Sequence, residues 1–381
     1  MAADLPLDFD TLRFLWWGIL GFLLIGFAVM DGFDLGLAAL LPFIARNDIE
    51  RRVLLETVEP VWDGNQVWFI LGGGAAFAAW PLLYAASFSG FYGAMFLVLA
   101  AFILRPVGFM YRNKLADPRW RSLWDWALFI GGVVPALVFG IAFGNLLQGV
   151  PFHFDDSLRV FYTGSFFGLL NPFALLCGVV SLVMLVMHGA VYIVLKTENP
   201  MAGRAKSVAA YGALGLLVLF TLAGLWITYG IEGFVITSQM AHDGPSNPLY
   251  KSVALKTGAW LDNYTVHPFL MAAPLAVYGG ALATVFLLWK NRPGLGFITS
   301  ALAVSGVIAT AGVSLFPFLM PSASAPGSSL TVWDTSSSHM TLFVMLVATL
   351  FFMPLIIAYT SWVFRVLRGK VTAEHLEDES Y

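Results

Sequence analysis

Nine long apolar stretches constrain the fold of this 381-residue chain more than any other feature. Each holds roughly the 20 mostly apolar residues that a helix needs to cross the hydrocarbon core of a membrane. Segments such as Gly93 to Leu104 lack the apolar–polar alternation of membrane barrel strands. We therefore predict an all-α integral membrane protein with about nine transmembrane helices. The stretches span residues 12–40, 61–83, 88–110, 122–147, 165–195, 206–230, 265–290, 297–319 and 340–366.

The composition excludes the main soluble classes. Hydrophobic residues make up 59% of the chain and charged residues 11%, whereas a soluble domain carries roughly a quarter charged residues. This excludes soluble domains, disorder, nucleic-acid binding and a secreted disulfide scaffold. The single cysteine, Cys177, excludes an internal disulfide and a cysteine-ligated cluster. The first ten residues hold three aspartates and no lysine or arginine, so we expect no cleaved signal peptide.

Lysine and arginine are concentrated in one of the two alternating sets of loops. Fifteen lie in the first set and four in the second, while Arg105 lies inside a span. Because basic loops face the cytoplasm, we expect a periplasmic N-terminus and a cytoplasmic C-terminus. The outer set includes loops 231–264 and 320–339, which we expect to be ordered or semi-ordered. The fifteen are Arg46, Arg51, Arg52, Arg112, Lys114, Arg119, Arg121, Lys196, Arg204, Lys206, Lys290, Arg292, Arg365, Arg368 and Lys370.

Loop lengths favour two blocks of four spans followed by a ninth helix. The first block covers residues 12–147, the second covers 165–319, and the last span covers 340–366. This predicts two four-helix bundles and one peripheral helix within a single membrane-embedded domain of residues 1–381. No loop is long enough to hold a soluble domain, and no convincing internal repeat marks the division.

Four charged residues lie at a similar depth in the first three predicted spans. Asp31 and Asp34 are three residues apart and share a helix face, Asp63 is near the start of the second span, and Arg105 is near the end of the third. A charge at mid-membrane costs about 2.5–3.5 kcal/mol on insertion scales, so those that persist usually face protein or water. We predict that the four converge on a proton path or ion site that opens to the cytoplasm.

These charges also have a structural interpretation. Asp63 and Glu59 fall in the first turn of a helix that begins near Pro60, where acids favour the positive end of the helix dipole. Arg105 could neutralise an aspartate simply to lower the insertion cost. The sequence leaves both interpretations open, and it places Glu59 at the membrane interface.

The histidines do not form a pair that could hold a haem between facing spans. His188 alone lies well inside a span, while His267 and His339 lie at outer ends of spans. A membrane haem b commonly takes an axial histidine, so we predict no metal ligand here and a hydrogen-bonded core role for His188. The run Gly72–Gly74 has no strand before it and no lysine after it, and we interpret it as close helix packing.

Several strings together resemble subunit II, the smaller core subunit, of cytochrome bd ubiquinol oxidases. The resemblance runs from about Leu12 to Arg365, and DGFDLG and WDGNQVW are its most specific strings. The family implies nine membrane helices, which agrees with the count above. The strings are RFLWWGILGFLLIGFAVMDGFDLG, RNDIERR, EPVWDGNQVWFILGGGAAFAAWP, YAASFSGFYGAM, LRPVGFMYR, GNLLQGVPF, LFPFLMPS and LTVWDTSSS.

The resemblance implies a respiratory function. Such a complex oxidises ubiquinol and reduces oxygen to water in the bacterial inner membrane, takes its protons from the cytoplasm and builds a proton gradient without pumping. A larger partner, subunit I, forms a heterodimer with this chain. Haem d and haem b are held by subunit I or shared with it, and this chain stabilises their site. This chain is not expected to be catalytic alone. Other implied partners are small accessory membrane subunits, ubiquinol, oxygen and membrane lipid, with no nucleic acid.

The resemblance also assigns roles to particular residues. Asp34, Asp63 and Arg105 match family positions that are linked to the proton path, and Asp31 is the weaker member of this set. Trp68 is expected to line a gas route or the subunit interface. A quinone bound in this subunit is a further expectation, and no motif here places it.

A secondary transporter that uses the same acids as a proton or cation site is the main alternative. Transporters of that kind usually have paired helices, interrupted by Gly or Pro, in two halves. Gly32 and Gly36 lie near the acids of the first span, but the fifth span has no counterpart. A self-sufficient haem oxidase is opposed by the distribution of histidines. A purely structural scaffold is partly contained in the favoured interpretation.

Overall fold

The computed structural model describes residues 5–374, and within them the chain is mainly helical. The two ends, residues 1–4 and 375–381, lie outside this description, and the second of them includes His375. The α-helices of the described part are α1 (Phe9–Ile44), α2 (Asp48–Glu56), α3 (Trp62–Ala79), α4 (Pro81–Gly90), α5 (Tyr92–Tyr111), α6 (Pro118–Gln148), α7 (Pro172–Lys196), α8 (Met201–Gly230), α9 (Asp262–Val266), α10 (Ala272–Trp289), α11 (Pro293–Leu315) and α12 (His339–Val366).

Eight helices in the described residues are long and apolar enough to cross a membrane, and the bent pair α3 and α4 raises the count to nine. The predicted second span, 61–83, is therefore not one straight helix, because the chain bends by 119° between α3 and α4. Trp80 separates them in a non-helical conformation. Pro81 explains the break, since proline disfavours the α conformation in the residue before it and cannot donate a backbone hydrogen bond.

The central helix is α1, which packs against α3, α6, α7, α11 and α12. Its contact with α7 is close enough to require glycine. A Cβ atom built on Gly36 would lie 2.0 Å from the carbonyl oxygen of Leu185, and one on Gly189 would lie 2.6 Å from the backbone of Gly36. Small residues let membrane helices approach in this way. The helix carrying Asp31 and Asp34 is therefore packed closely against α7 inside the bundle.

The loops predicted to carry most of the basic residues meet at one end of the helices, which we call the basic end. Arg112, which is fully buried, lies 2.5 Å from Asp125 and 2.9 Å from Asp48. Arg204 at the start of α8 lies 2.6 Å from Glu50 of α2. These ion pairs fix α2 against the ends of α5, α6 and α8. The short helix α2 was not predicted.

The two long loops at the opposite end are ordered, as predicted. Arg13 donates hydrogen bonds to the carbonyl oxygen of His242 at 2.5 Å and to Ser336 Oγ at 2.7 Å, which joins the two loops to α1. Lys251 lies 2.6 Å from Asp334, so an ion pair also links the loops directly. Burial lowers the pKa of Lys251, and Asp334 partly offsets that effect.

Small antiparallel sheets, which the sequence did not predict, lie at this opposite end. Each described sheet has two strands, and none of them closes on itself. The pairs are β1 (Phe152–Phe154) with β2 (Val160–Tyr162), β3 (Glu232–Ile236) with β4 (Val253–Thr257), and β5 (Phe318–Met320) with β6 (Leu330–Thr331).

Candidate functional site

Asp31 and Arg105 form a buried pair joined by two hydrogen bonds. The Nη1 and Nη2 atoms of Arg105 donate to the two carboxylate oxygens of Asp31 at 2.9 Å and 2.6 Å. Both side chains are excluded from solvent, with relative exposures of 0% and 1%. Paired, charge-assisted hydrogen bonds of this kind are strong and fix the geometry of both groups. Asp31, the weaker member by motif, is therefore the closest partner of Arg105.

Asp34 lies beside this pair and shares the same arginine. Its Oδ2 atom is 3.8 Å from Arg105 Nη2 and accepts a hydrogen bond of 2.9 Å from Asn65. Its Oδ1 atom is buried and has no hydrogen-bond partner among the described residues. Two buried carboxyl groups thus face one guanidinium. Because an uncompensated buried charge is strongly unfavourable, this arrangement can hold one proton in addition to the ion pair.

Asp63 is not part of this cluster, which corrects the prediction of a single coupled group. Its side chain is exposed and forms no hydrogen bond or ion pair with Asp34 or Arg105. Successive residues of an α-helix are about 100° apart around its axis, so Asn65, two positions on, faces the opposite way. Asn65 is buried and takes the place that the sequence assigned to Asp63.

A glycine on a neighbouring helix makes room for Arg105. A Cβ atom built on Gly131 of α6 would lie 2.9 Å from Arg105 Cγ and 3.0 Å from the carbonyl oxygen of Ala101. Arg105 is also within 5.6 Å of the centre of the Phe102 ring, where a cation interacts favourably with the aromatic face. Gly131 was missed in the sequence, because a glycine contact between α5 and α6 has no local signal.

Trp68 is packed inside the chain. It is 5% exposed, and its ring lies against Gly26, where a Cβ atom would be only 2.3 Å from the indole. Its Nε1 atom is buried without a hydrogen-bond partner among the described residues. The role in a gas route or interface that the motif assigned to Trp68 stays a prediction.

The helix α3 has one buried and one exposed face. A Cβ atom on Gly72 would meet only Leu24, at 3.8 Å, and the positions of Gly73 and Gly74 have nothing within 4 Å. The predicted close packing of this glycine run is therefore wrong within the described chain. On the exposed face, Gly74 is open to another molecule. Its stripe consists of Asp63, Val67, Ile70, Gly74 and Phe77, and we call it the α3 outer face.

His188 does not fit the ligation of a haem. His188 is fully buried, and both ring nitrogens are engaged, Nδ1 with Ser300 Oγ at 2.8 Å and Nε2 with the carbonyl oxygen of Val29 at 3.0 Å. This confirms the predicted role of His188 as a hydrogen-bonded core residue. No group of three or more His, Cys, Asp or Glu side chains suited to a metal ion occurs in residues 5–374.

An apolar cavity of about 190 Å³ lies between α1, α6, α7, α8 and α11. Aromatic and aliphatic side chains such as Phe27, Phe139 and Phe220 form its wall, and Cys177 and Ser181 are among its few polar lining residues. Cavities of this character take apolar ligands, with a few polar groups setting their orientation.

The fold and the buried acid–arginine cluster define a helical integral membrane protein with an ionisable site inside its bundle. The family model described as cytochrome bd terminal oxidase subunit II matches residues 12–367, and the chain belongs to this family. The family resemblance inferred from the sequence is thereby confirmed.

Individual relatives agree over almost the whole chain. The chain is 52% identical over 375 residues to the probable cytochrome oxidase subunit 2 of Haemophilus influenzae, with 98% of this chain and 99% of the relative covered. It is 49% identical, with the same coverage, to the cytochrome bd-I ubiquinol oxidase subunit 2 of Escherichia coli strain K12. The structure of bd oxidase from Geobacillus thermodenitrificans matches with a TM-score of 0.69 at 16% identity, and covers 93% of this chain and 98% of that chain, which shows a shared fold.

Membership of this family settles the broad function. The chain is a subunit of a respiratory terminal oxidase, an oxidoreductase complex of the bacterial inner membrane, and the transporter alternative is not favoured. A subunit II has a partner subunit, and the family uses haem.

Proposed function

We propose that this chain is the second core subunit of a cytochrome bd oxidase that oxidises ubiquinol and reduces oxygen to water without pumping protons. The observation that carries the proposal is the 49% identity, over 98% of the chain, to a relative named cytochrome bd-I ubiquinol oxidase subunit 2. The basic end faces the cytoplasm, because Lys and Arg mark cytoplasmic loops. The N-terminus is then periplasmic and the C-terminus cytoplasmic.

Haem d and haem b are held by the partner, subunit I, in this proposal. Support comes from His188, whose two ring nitrogens are engaged with Ser300 and Val29 and are not available to iron. The haems supply the oxygen chemistry when the complex is assembled. This chain contributes packing around their site and a route for protons.

The proton route passes through the cluster of Asp31, Asp34 and Arg105. Asp31 holds Arg105 in place through two hydrogen bonds, and Asp34 is the acid that forms no hydrogen bond with Arg105. Its unpartnered Oδ1 atom is where a proton is held and released. Intramembrane acids commonly serve such relays. Asp63, exposed on α3, exchanges protons with solvent or with the partner at the edge of the subunit.

The partner subunit docks on the α3 outer face. An apolar stripe interrupted by Gly74 allows a second helix to approach closely, and Asp63 at one end of the stripe offers a charged hydrogen-bond acceptor. Trp68, one residue from this face, is the residue along which oxygen moves between the subunits. Small accessory subunits contact the remaining lipid-facing surfaces.

In this proposal, a quinone bound in this subunit occupies the apolar cavity between α1 and α8. The cavity suits part of an isoprenoid chain, and its few hydroxyl groups would face the polar head. Extraction of the purified complex, with and without the substitution Ala223→Trp in the cavity wall, tests this. Loss of the stoichiometric quinone in the variant is expected, and unchanged quinone content would place it elsewhere.

Co-purification tests the function as a whole. The chain expressed with subunit I should yield a complex with haem d and haem b bands and ubiquinol oxidase activity, whereas the chain alone should carry no stoichiometric haem. A stoichiometric b-type spectrum from the chain alone, or an assembled complex without quinol oxidase activity, would overturn the proposal.

A further inference from the structure

A second cavity, of about 170 Å³, lies at the basic end of the molecule. It is bounded by the segment that joins α2 to α3, the last turn of α7 and the end of α12. Glu56, Thr57, Tyr192 and Lys196 supply polar groups to its wall. A cavity of this size holds water when several polar partners line it, whereas a purely apolar cavity stays dry. Its lining therefore favours water.

Tyr192 closes the side of this cavity that is deeper in the membrane, one helical turn before Lys196. It is 2% exposed, and its hydroxyl group donates a hydrogen bond of 2.7 Å to the carbonyl oxygen of Thr57. A phenol that donates in this way still has lone pairs that can accept from water. The hydroxyl group can therefore orient a water molecule at the end of the cavity.

Tyr192 connects the wall of this cavity to the helix that carries the acid cluster. The ring of Tyr192 stacks on Phe33, with centres 4.1 Å apart and planes at 22°, and Asp34 follows Phe33 in α1. The segment that lines the cavity through Thr57 also leads directly into α3, where Asn65 donates to Asp34. Tyr192 therefore lines the cavity and also packs on the residue next to Asp34, whose Oδ1 atom has no hydrogen-bond partner among the described residues.

The chain after α12 forms the remaining wall. Lys196 Nζ donates to the carbonyl oxygen of Leu367 at 2.5 Å, and the N–H group of Val371 donates to the carbonyl oxygen of Lys196 at 2.8 Å. Lys196 and Glu56 place opposite charges in the same wall, so the cavity is polar without a large charge excess. Val371 lies at the margin, where a larger group would fill the space.

We propose that this cavity, the inner vestibule, holds the water through which cytoplasmic protons reach Asp34, and that Tyr192 is a positioning residue that orients this water. The inference rests on the proposed function, because it adds a route to an acid already placed in the proton path. No covalent change in Tyr192 is involved, since protons move along the water and Tyr192 keeps its own. The last transfer takes place when the stack of Tyr192 on Phe33 moves aside and water from the vestibule reaches Asp34.

The first test removes only the Tyr192 hydroxyl group. In the assembled complex, Tyr192→Phe keeps the ring that stacks on Phe33, and we expect turnover per haem d to fall about tenfold, less than the roughly 10²–10⁴-fold typical of a lost general acid or base. The fall should come with an increased solvent deuterium isotope effect, which a merely structural role would not produce. The matched control is Tyr278→Phe, whose hydroxyl contacts Thr221 away from the vestibule.

The second test fills the vestibule after the complex has assembled. Val371→Cys is treated with a bulky, charged thiol reagent, and we expect turnover per haem d to fall roughly fivefold or more as the water is displaced. Arg368→Cys is the control, because Arg368 is exposed on the same segment and does not line the cavity. Wild type controls for reaction at the native Cys177.

Both tests must succeed for the inference to stand. Wild-type turnover in Tyr192→Phe, or in labelled Val371→Cys, would overturn the vestibule while Asp34→Asn still slowed the enzyme. If Asp34→Asn itself left turnover per haem d unchanged, the proposed proton path would fail instead. Should Tyr192→Phe not assemble, the labelled cysteine variant decides.

Discussion

Arg105 joins α5 to α1 by donating two hydrogen bonds to Asp31, at 2.9 Å and 2.6 Å, and both side chains are buried. Removing one member leaves the other as an uncompensated charge, which typically destabilises a protein by about 3–5 kcal/mol. We expect Asp31→Asn to lower the yield and thermal stability of the complex strongly. The double variant Asp31→Leu, Arg105→Met should recover stability without recovering turnover, and a double variant as unstable as the single one would argue against a buried ion pair.

Gly131 on α6 provides the space for Arg105. A Cβ atom there would come within 2.9 Å of Arg105 Cγ and 3.0 Å of a backbone oxygen, so Gly131→Ala should displace the arginine from Asp31. We expect a loss of stability of about 1–3 kcal/mol, typical of overpacking, and a lower turnover per haem d. Gly224→Ala on α8, where nothing lies within 4 Å, is the control. Equal thermal unfolding curves for both variants would refute this role.

The depth of the charged cluster could be predicted from sequence, but its rotation about each helix axis could not. Counting residues from the span ends placed Asp31, Asp34 and Arg105 at one level, and these three do meet. The same counting admitted Asp63 and overlooked Asn65, because both lie at nearly equal depth on α3 and only tertiary packing decides which of them turns towards α1.

The sequence contained a signal for the break in the second span, but the length of the apolar stretch hid it. Trp80–Pro81 marks the end of α3, yet hydropathy runs through it without interruption. The short strands at the opposite end are only two to five residues long, and loop composition could not distinguish them from irregular structure. Their pairing depends on contacts between distant segments of the chain.

Glu50 should make the stability of the folded chain depend measurably on pH. Burial by itself would raise the pKa of Glu50, but hydrogen bonds from Arg204 and the Arg46 N–H group hold it below its ordinary value of 4.5. A depressed carboxyl pKa stabilises the folded state above pH 4.5, and this contribution is lost as the pH falls through the lowered value. Glu50→Gln should therefore lower the melting temperature at pH 7 by an amount that corresponds to roughly 1 kcal/mol or less. The difference from wild type should shrink in acid, and a difference that grew there would reverse the sign of this argument.

We predict that the partner subunit binds to the α3 outer face. Gly74→Val should leave the fold of this chain intact, because nothing lies within 4 Å of a Cβ atom at this exposed position, but it should reduce recovery of the heterodimer. Gly279→Val on α10, which is equally open, is the matched control. The measurement is the ratio of the two subunits after affinity purification through this chain. Equal ratios for the two variants would place the partner on another face.

The central claim is that Asp34 carries protons to the haem site, and the ubiquinol oxidase rate divided by haem d content tests it most directly. Asp34→Asn preserves the shape of the side chain and should allow the complex to assemble, since the ion pair between Asp31 and Arg105 remains. We predict that turnover per haem d falls about 10²-fold in Asp34→Asn, as for a lost proton-transfer group, and falls less in Asp63→Asn at the exposed edge. Wild-type turnover per haem d in Asp34→Asn would contradict the account and leave the cluster as structure alone.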